Sequence, residues 1–233
     1  WTDPNTGTRV DPSVITSENM SRFKYTLKEG VPSFEGKTVA PGDRKYRDLT
    51  GEGVVNSNDR TAIGNTDPLF NFGINNEFRI GSLDVGVFID GSYGGKILNA
   101  FRRQLEPSLN NNINNLSTEA WEGRWTPENG SNVYARLLNQ TDQQVSTYYV
   151  EDGSYLRMKN LQLGYTLPST FTKKFNVSKL RIYGSIDNVF VLTKYSGFDP
   201  EMGDLLGNPL SIGVDLASYP RPRTFVLGFN ISL

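Results

Sequence analysis

The feature that most constrains this chain is a strict alternation of side chains at its end. In TFVLGFNISL (224–233) one parity carries only Phe, Leu and Ile, and the other carries Thr, Val, Gly, Asn and Ser. A β-strand points successive side chains to opposite faces, whereas a helix repeats every 3.6 residues. The stretch therefore predicts a strand with one apolar face and one mainly polar face.

The same two-residue period recurs in five other segments, which predict further strands. They are RFKYTL (22–27), LFNFGINNEFRI (69–80), LDVGVFIDGSY (83–93), LQLGYTL (161–167) and KLRIYGSIDNVFVL (179–192). Helix signals are nearly absent, and only LSTEAWEGRW (116–125) predicts one or two helical turns within a loop. The chain is therefore expected to be all-β.

The lengths of the connections indicate what kind of sheet this is. Short connections at 81–82 and 168–178 alternate with long ones at about 28–68, 94–154 and 192–222. In an up-and-down antiparallel sheet, this alternation places every long loop at one end. Short turns at one end and long loops at the other are typical of outer-membrane barrels. The pattern predicts an antiparallel up-and-down transmembrane β-barrel segment.

About six strands are too few for a closed membrane barrel, which needs at least about 8. Either residues 1–20 and 30–68 contain further strands, or the chain is a C-terminal piece of a larger barrel, and we favour the second. The alternative that alternation alone leaves open is a soluble or surface-attached β-rich binding module, since an antiparallel sheet with one buried face alternates equally well.

Composition excludes several other classes of function. The chain has no Cys and no His, so thiolate metal sites, imidazole bases and cysteine or serine–histidine nucleophile systems cannot form from its residues. The net charge of −1 predicts no nucleic-acid partner. Neighbouring carboxylates at Glu151–Asp152 and at Asp199, Glu201 and Asp204 are more typical of loop turns than of a glycosidase pair. We expect no enzymatic activity.

Four segments together resemble a known family. PGDRKYRDLTGEGVVNSNDRTAIGNTDPLFNFGINNEF (41–78), VEDGSYLRMKNLQLGYTLP (150–168), LRIYGSIDNVFVLTKYSGFDPEM (180–202) and GVDLASYPRPRTFVLGFNISL (213–233) are similar to the C-terminal part of SusC/RagA-type TonB-linked outer-membrane transporters. The resemblance implies a barrel of about 22 strands with a plugged lumen. Residues 1–233 would form the C-terminal portion of that barrel, and the N-terminal plug and earlier strands would lie outside this chain.

The resemblance also implies a function and partners. Such transporters are integral to the Gram-negative outer membrane and import oligosaccharides or peptides. A SusD-like surface lipoprotein closes the extracellular mouth, and TonB supplies energy through the N-terminal plug. This chain would then contribute the last barrel strands and extracellular loops.

Two groups of residues are candidates for binding. The candidate lumen and substrate residues lie on the polar parity of the predicted strands: Asn71, Glu77, Arg79, Asp84, Asp90 and Gln162. The second group lies in DLTGEGVVNSND (48–59), which resembles a twelve-residue EF-hand-type calcium loop. Its ligands would be Asp48, Thr50, Glu52, the Val54 carbonyl, Asn56 and Asp59.

This calcium-loop-like segment departs from an ideal loop at several positions. Thr50 is a weaker ligand than Asp or Asn, Glu52 is one methylene longer than Asp, and Asp59 stands where a bidentate Glu is usual. We expect weak Ca²⁺ binding that stiffens an extracellular loop. The alternative is a surface turn organised by Gly51 and Gly53. No other cofactor is predicted.

Overall fold

The computed structural model describes residues 1–11, 14–16, 19, 24, 26–37, 39–106, 115–137, 144–201, 204–205 and 208–233. These residues divide into two compact units. The first unit contains residues 1–63 and 101–146, and the second contains residues 64–100 and 147–233. No helix in the described part of the chain is long and apolar enough to cross a membrane.

The first unit contains little regular structure. Strands β1 (Ser33–Phe34) and β2 (Val54–Val55) form a short parallel pair. Helix α1 (Ala100–Gln104) enters this unit, and helix α2 (Thr118–Glu122) confirms the predicted helical turns. The Ser117 hydroxyl caps α2 by accepting a hydrogen bond from the Ala120 amide at 3.1 Å. In the strand predicted over 22–27, residues 22, 23 and 25 lie outside the described residues.

Charged side chains hold much of the first unit together. The buried Glu106 carboxylate binds Arg44 at 2.7 Å and Arg102 at 3.0 Å. Arg136 binds Asp43 at 2.6 Å across 93 residues of sequence. Because the Arg44–Glu106 and Arg136–Asp43 pairs join distant segments, the unit depends on specific pairings instead of on a repeating pattern.

The second unit is built on long strands. Its elements are β3 (Phe70–Ile80), β4 (Leu83–Tyr93), β5 (Lys96–Asn99), β6 (Val150–Asp152), β7 (Tyr155–Thr166), α3 (Ser169–Thr172), β8 (Lys179–Thr193), β9 (Asp204–Leu205), β10 (Asn208–Ile212), β11 (Val214–Asp215) and β12 (Thr224–Ser232). Five of these strands form one sheet in the order β12-β8-β7-β4-β3, and every pair is antiparallel. This confirms the predicted antiparallel up-and-down arrangement.

The connections within this sheet also follow the prediction. β3 and β4 pair along their whole length, from Phe70 with Tyr93 to Ile80 with Leu83. Only Gly81 and Ser82 join them, and Gly81 adopts a φ of 62°, which a two-residue hairpin turn requires. The segment between β7 and β8 is the other short connection. The long connections, between β4 and β7 and between β8 and β12, lie at the opposite end of the sheet.

The strands present one broad apolar face that no other described segment of the second unit covers. Cross-strand pairs such as Phe78 with Val85, and Ile182 with Phe229, form this face. Leu227 is 84% exposed, Ile80 73% and Phe229 69%. An ordinary soluble sheet would bury such residues beneath a second layer.

Two smaller sheets accompany the main one at the end of the long connections. β5 pairs with β6 antiparallel and with β11 parallel, and β9 pairs with β10 antiparallel. The β5–β6–β11 sheet joins segments that are far apart in sequence and fixes the loop after β8 close to the loop after β4.

Candidate functional site on the polar face of the sheet

The register of the strands places all six candidate lumen residues on one face of the sheet. Arg79 lies directly opposite Asp84, and Glu77 lies opposite Gly86, which in turn faces Gln162. Asn71 lies on the same face of β3 as Glu77 and Arg79, and it pairs with Ser92. Asp90 lies on the same face of β4 as Asp84, and it pairs with Gly73. This face lies opposite the exposed apolar face, as the alternation predicts.

Asp84 is the centre of an ion pair at the short-turn end of this face. The Arg181 guanidinium donates two hydrogen bonds to the Asp84 carboxylate, with Nε at 2.9 Å from Oδ1. The two residues are 97 positions apart, on β4 and β8, and the Gly164 backbone of β7 lies between them. A Cβ at Gly164 would come within 2.3 Å of the Arg181 guanidinium, so only glycine leaves room for this bidentate contact.

A larger cluster lies at the long-loop end, and we call it the loop clamp. It consists of Asp90, Arg157, Lys159, Asp199 and Glu201. Arg157 binds Asp199 and contacts Glu201 at 3.3 Å, while Lys159 binds Asp90 at 2.8 Å and Glu201 at 2.9 Å. Arg157 is only 1% exposed.

Asn188 adds two hydrogen bonds beside the loop clamp. The Asn188 side chain accepts a hydrogen bond from Arg157 at 2.5 Å and donates one to the Arg221 carbonyl at 2.6 Å. Asn188 itself has a φ of 55°, a left-handed conformation that Asn tolerates better than most residues. The loop clamp and Asn188 therefore tie Asp199, Glu201 and Arg221 of the long connection to the polar face.

A β-bulge in β7 explains how the side chains of Arg157 and Lys159 both reach the polar face. Phe88 pairs with Asn160 and Ile89 with Met158, so Lys159 is an extra residue in β7. This extra residue shifts the phase of the strand, and Arg157 comes to lie opposite Asp90 on the polar face. Unbroken alternation from Gln162 would have turned Arg157 towards the apolar face.

Other carboxylates at this end also have structural partners. Glu151 accepts hydrogen bonds from the Ser196 amide at 2.8 Å and from the buried Asn99 side chain at 3.1 Å. Asp152 accepts two from Ser154, which lower the pKa of Asp152. Glu151 and Asp152 thus stabilise the loops.

Loop tyrosines differ in their exposure. Tyr195, only 5% exposed, donates a 2.5 Å hydrogen bond to the buried Asp215 carboxylate. Burial and this bond raise the pKa of Tyr195. Tyr219, in contrast, is 89% exposed. Tyr195 therefore stabilises the loop and offers no ring face to a ligand.

The calcium-loop-like segment is closed by its own hydrogen bonds. The Asp59 carboxylate accepts from the backbone amides of Leu49, Thr50 and Asn56, at 2.7–3.1 Å. These bonds lower the pKa of Asp59, that from Asn56 most strongly. The Asp48 carboxylate accepts from the amides of Gly51 and Gly53.

The same segment brings several predicted ligands together. The Thr50 hydroxyl lies 3.2 Å from an oxygen of Asp48 and 3.1 Å from an oxygen of Asp59, so positions 1, 3 and 12 of the loop converge. The Asn56 side chain lies 3.3 Å from Glu52. Within the described ranges, which include all of 48–59, no three Asp, Glu, His or Cys side chains form a metal-binding group. A cation here would need the neutral oxygens as well.

Sequence analysis missed the partners of the candidate residues. Arg157, Lys159, Arg181 and Asn188 were assigned no role, although they neutralise Asp84 and Asp90 and anchor the loop. Charged residues inside an otherwise alternating strand were the available signal. Their partners lie 31–97 positions away, a distance at which no local pattern connects them.

The comparisons with known proteins agree with this architecture. No family model matches the sequence. Related sequences and solved structures nevertheless confirm the resemblance predicted above: this chain is related to part of the TonB-dependent receptors of the SusC/RagA type.

Three of these relatives define the relationship. TonB-dependent receptor P3 of Formosa agariphila is 35% identical over 207 residues, which cover 87% of this chain and 20% of that protein. TonB-dependent receptor SusC of Bacteroides thetaiotaomicron is 23% identical over 192 residues, covering 82% of this chain and 18% of SusC. A structure of the RagAB peptide importer in the open-open state matches 72% of this chain and 17% of its own, with a TM-score of 0.60 and 26% identity.

The matched relatives are much longer than this chain. It spans about one fifth of the length of the curated relatives it matches. The activity, substrate and partners of a whole receptor are therefore considered separately below.

Proposed function

We propose that this chain forms part of the wall of an outer-membrane nutrient importer of the SusC type. In this proposal the apolar face of the main sheet contacts lipid, and the polar face lines the transport lumen. The observation that carries the proposal is the exposure of the apolar face, on which Phe229 is 69% and Leu163 53% exposed. Hydrocarbon is the surrounding that such a face requires in a membrane barrel.

The polar face fits a lumen better than it fits a catalytic centre. Asp84 and Asp90 are neutralised by Arg181 and Lys159 in ion pairs, which leaves a mixed, hydrogen-bonding surface. Such a surface suits an uncharged oligosaccharide or a peptide. The RagAB relative is described as a peptide importer, which gives peptides some support. We propose that the chain itself catalyses no reaction.

The partners of the whole protein follow from the same relatives. One relative is the RagAB peptide importer, and another is the TonB-dependent receptor SusC. We therefore propose a SusD-like lipoprotein at the long-loop end, energy coupling through TonB, and pairing of this sheet with the remaining strands and plug. The loop clamp would hold the loop after β8 in place for the lipoprotein.

The test is a pair of substitutions on neighbouring residues of β12. Leu227 lies on the apolar side in the middle of β12 and is 84% exposed, whereas Val226 points to the polar face. Leu227→Arg in the full-length protein is expected to lose about 2–4 kcal/mol of stability, the cost of a cation facing the middle of a bilayer. Val226→Arg is the matched control and should assemble in the outer membrane with near-normal uptake.

The two outcomes separate the alternatives. If Leu227→Arg assembles as well as Val226→Arg, and the protein purifies without detergent, the soluble binding module is correct and import is wrong. Membrane fractionation and urea unfolding in detergent provide the measurements.

We also propose that segment 48–59 binds Ca²⁺ weakly, because Asp48, Thr50 and Asp59 converge. Calorimetric titration of the purified protein should give Ca²⁺ uptake that Asp48→Asn abolishes. Asp67→Asn, at an exposed acid outside the loop, is the control and should leave uptake unchanged. Absence of uptake in the unmodified protein would contradict this proposal.

A further inference from the structure

The connection between β7 and β8 forms a compact helical knuckle at the short-turn end of the sheet. Pro168 precedes α3 as its N-cap residue, and its carbonyl accepts a hydrogen bond from the Phe171 amide at 2.9 Å. A turn of 3-10 helix, Lys173–Phe175, follows, and Asn176 with a φ of 56° ends it. Thr172 is 2% exposed, so one side of this knuckle is fixed against the protein.

The opposite side of the knuckle presents two phenylalanines. Phe171 is 51% exposed and Phe175 is 68% exposed. Their ring centroids lie 5.7 Å apart with the ring planes tilted by 54°. The rings contact each other, and together they form a small apolar patch on a short turn, where a polar surface is the norm.

Two lysines lie within the same knuckle. Lys173 and Lys174 fall between the two phenylalanines in sequence, and both are exposed. Adjacent apolar rings and ammonium groups match the boundary between acyl chains and headgroup phosphates, where aromatic rings and snorkelling lysines are enriched. A cationic patch of this kind is complementary to an anionic lipid headgroup.

The helical knuckle follows closely in sequence after the apolar side of β7. β7 leaves the sheet through Tyr165, which is 46% exposed and lies opposite Ile182, itself 45% exposed. Both belong to the face assigned to lipid, and α3 begins only four residues after Tyr165. The apolar patch of Phe171 and Phe175 therefore lies a few residues beyond the end of the apolar face in the chain.

We propose that Phe171 and Phe175 anchor this end of the sheet in the periplasmic leaflet of the outer membrane, with Lys173 and Lys174 bound to anionic phospholipid headgroups. The inference rests on the proposed function, which places the apolar face in the bilayer. It assigns the knuckle a lipid contact of its own. The competing occupant is another part of the same transporter packed beneath the barrel, and the experiment distinguishes the two.

The test measures the surroundings of single nitroxide labels in the full-length transporter reconstituted in bilayers. This chain contains no Cys, so one cysteine can be introduced at a time once any cysteines elsewhere in the protein are replaced. Labels are placed at Phe175, at Leu163 on the apolar face and at the exposed Tyr219. Collision with oxygen reports lipid, and collision with a water-soluble nickel chelate reports solvent.

The expected result is that the label at 175 collides preferentially with oxygen, as the label at 163 does, while the label at 219 collides with the nickel chelate. Oxygen preference at 163 with solvent exposure at 175 would overturn the anchor and leave the membrane sheet intact. A label at 175 that neither reagent reaches would mean that protein covers the knuckle, which also overturns it. Solvent exposure at both 163 and 175 would refute the proposed function itself.

The lysines are tested with the same label. Bilayers of phosphatidylethanolamine are compared with and without phosphatidylglycerol. Lys173→Gln and Lys174→Gln are each expected to lower the affinity of this segment for phosphatidylglycerol about fivefold. Each should also raise the collision rate of the label at 175 with the nickel chelate. Lys194→Gln, at an exposed lysine beyond β8, is the control and should change neither value. Equal behaviour of all three variants would exclude headgroup binding.

Discussion

At one end of the five-stranded sheet the chain turns in two residues between β3 and β4, whereas at the other end it runs into long segments held by the loop clamp. The short-turn end exposes apolar residues such as Ile80 and Phe175, whereas the side chain of Thr172 there is buried. The long-loop end buries Arg157, Tyr195 and Asp215 in a network of hydrogen bonds. The short-turn end therefore presents apolar side chains on its surface, and the long-loop end is stabilised by buried polar contacts.

The contrast shows that a long loop can still be held in one conformation. A long connection without buried contacts would carry a large conformational entropy. Here the connection after β8 is tied to the polar face by Arg157 and to the β5–β6–β11 sheet by Tyr195. We infer that these contacts keep the long-loop end in one arrangement, and the following predictions test this.

The largest effect is expected at Arg157. Arg157→Ala leaves Asp199 buried without its cation, and removing one member of a buried ion pair costs about 3–5 kcal/mol. Limited proteolysis should then cut within 194–223, and urea unfolding should begin at lower concentration. Arg221→Ala is the control because its side chain is 54% exposed, and it should cost at most about 1 kcal/mol. Equal effects of the two variants would mean that the loop clamp does not hold the loop.

A smaller effect is expected at Tyr195. Tyr195→Phe removes the hydroxyl that donates to the buried Asp215 carboxylate, and a hydrogen bond to a charged group contributes about 1.5–3 kcal/mol. Tyr219→Phe changes an 89% exposed ring and should be neutral. Hydrogen exchange of residues 214–218 is the measurement. Unchanged protection in Tyr195→Phe would show that this bond contributes little to the loop.

The short-turn end is probed by a pair of glycines on the polar face. Gly164→Ala introduces a methyl group 2.3 Å from Arg181 and 2.4 Å from Asp84, so these two side chains must move out of their present bidentate contact. Overpacking of this kind costs about 1–3 kcal/mol. Gly86→Ala meets its nearest atom, on Gln162, at 3.7 Å and should be tolerated. Urea unfolding of the two variants compares them directly, and a more stable Gly164→Ala would be inconsistent with the bidentate contact.

The smallest effect is a pH dependence confined to segment 48–59. The folded pKa of Asp59 lies below its ordinary value of 3.8, so its contribution is complete above that pH and is lost as the pH falls through the lowered pKa. Amide protection at Leu49, Thr50 and Asn56 should therefore decrease in acid. Asp59→Asn should remove this acid-dependent step. If the acid step persists in Asp59→Asn, another group controls the segment.

The alternation in the sequence predicted the main sheet because a strand repeats every two residues and pairs with its neighbours in the sequence. The parity of Asp84, Asp90 and Gln162 was therefore correct. The start of β7 was missed, because Arg157 and Lys159 interrupt the pattern and their partners lie elsewhere in the chain. Such contacts depend on tertiary structure that no local period encodes.

The bulge at Lys159 has a consequence for how this strand can change in length. Because Lys159 is an extra residue relative to β4, deleting it would leave Arg157 and Gln162 facing the same way as before and would remove the lysine contacts. A one-residue deletion elsewhere in β7 would exchange the two faces of every residue on one side of it and move charged side chains onto the apolar face. Natural shortening of this strand should therefore be confined to that single position.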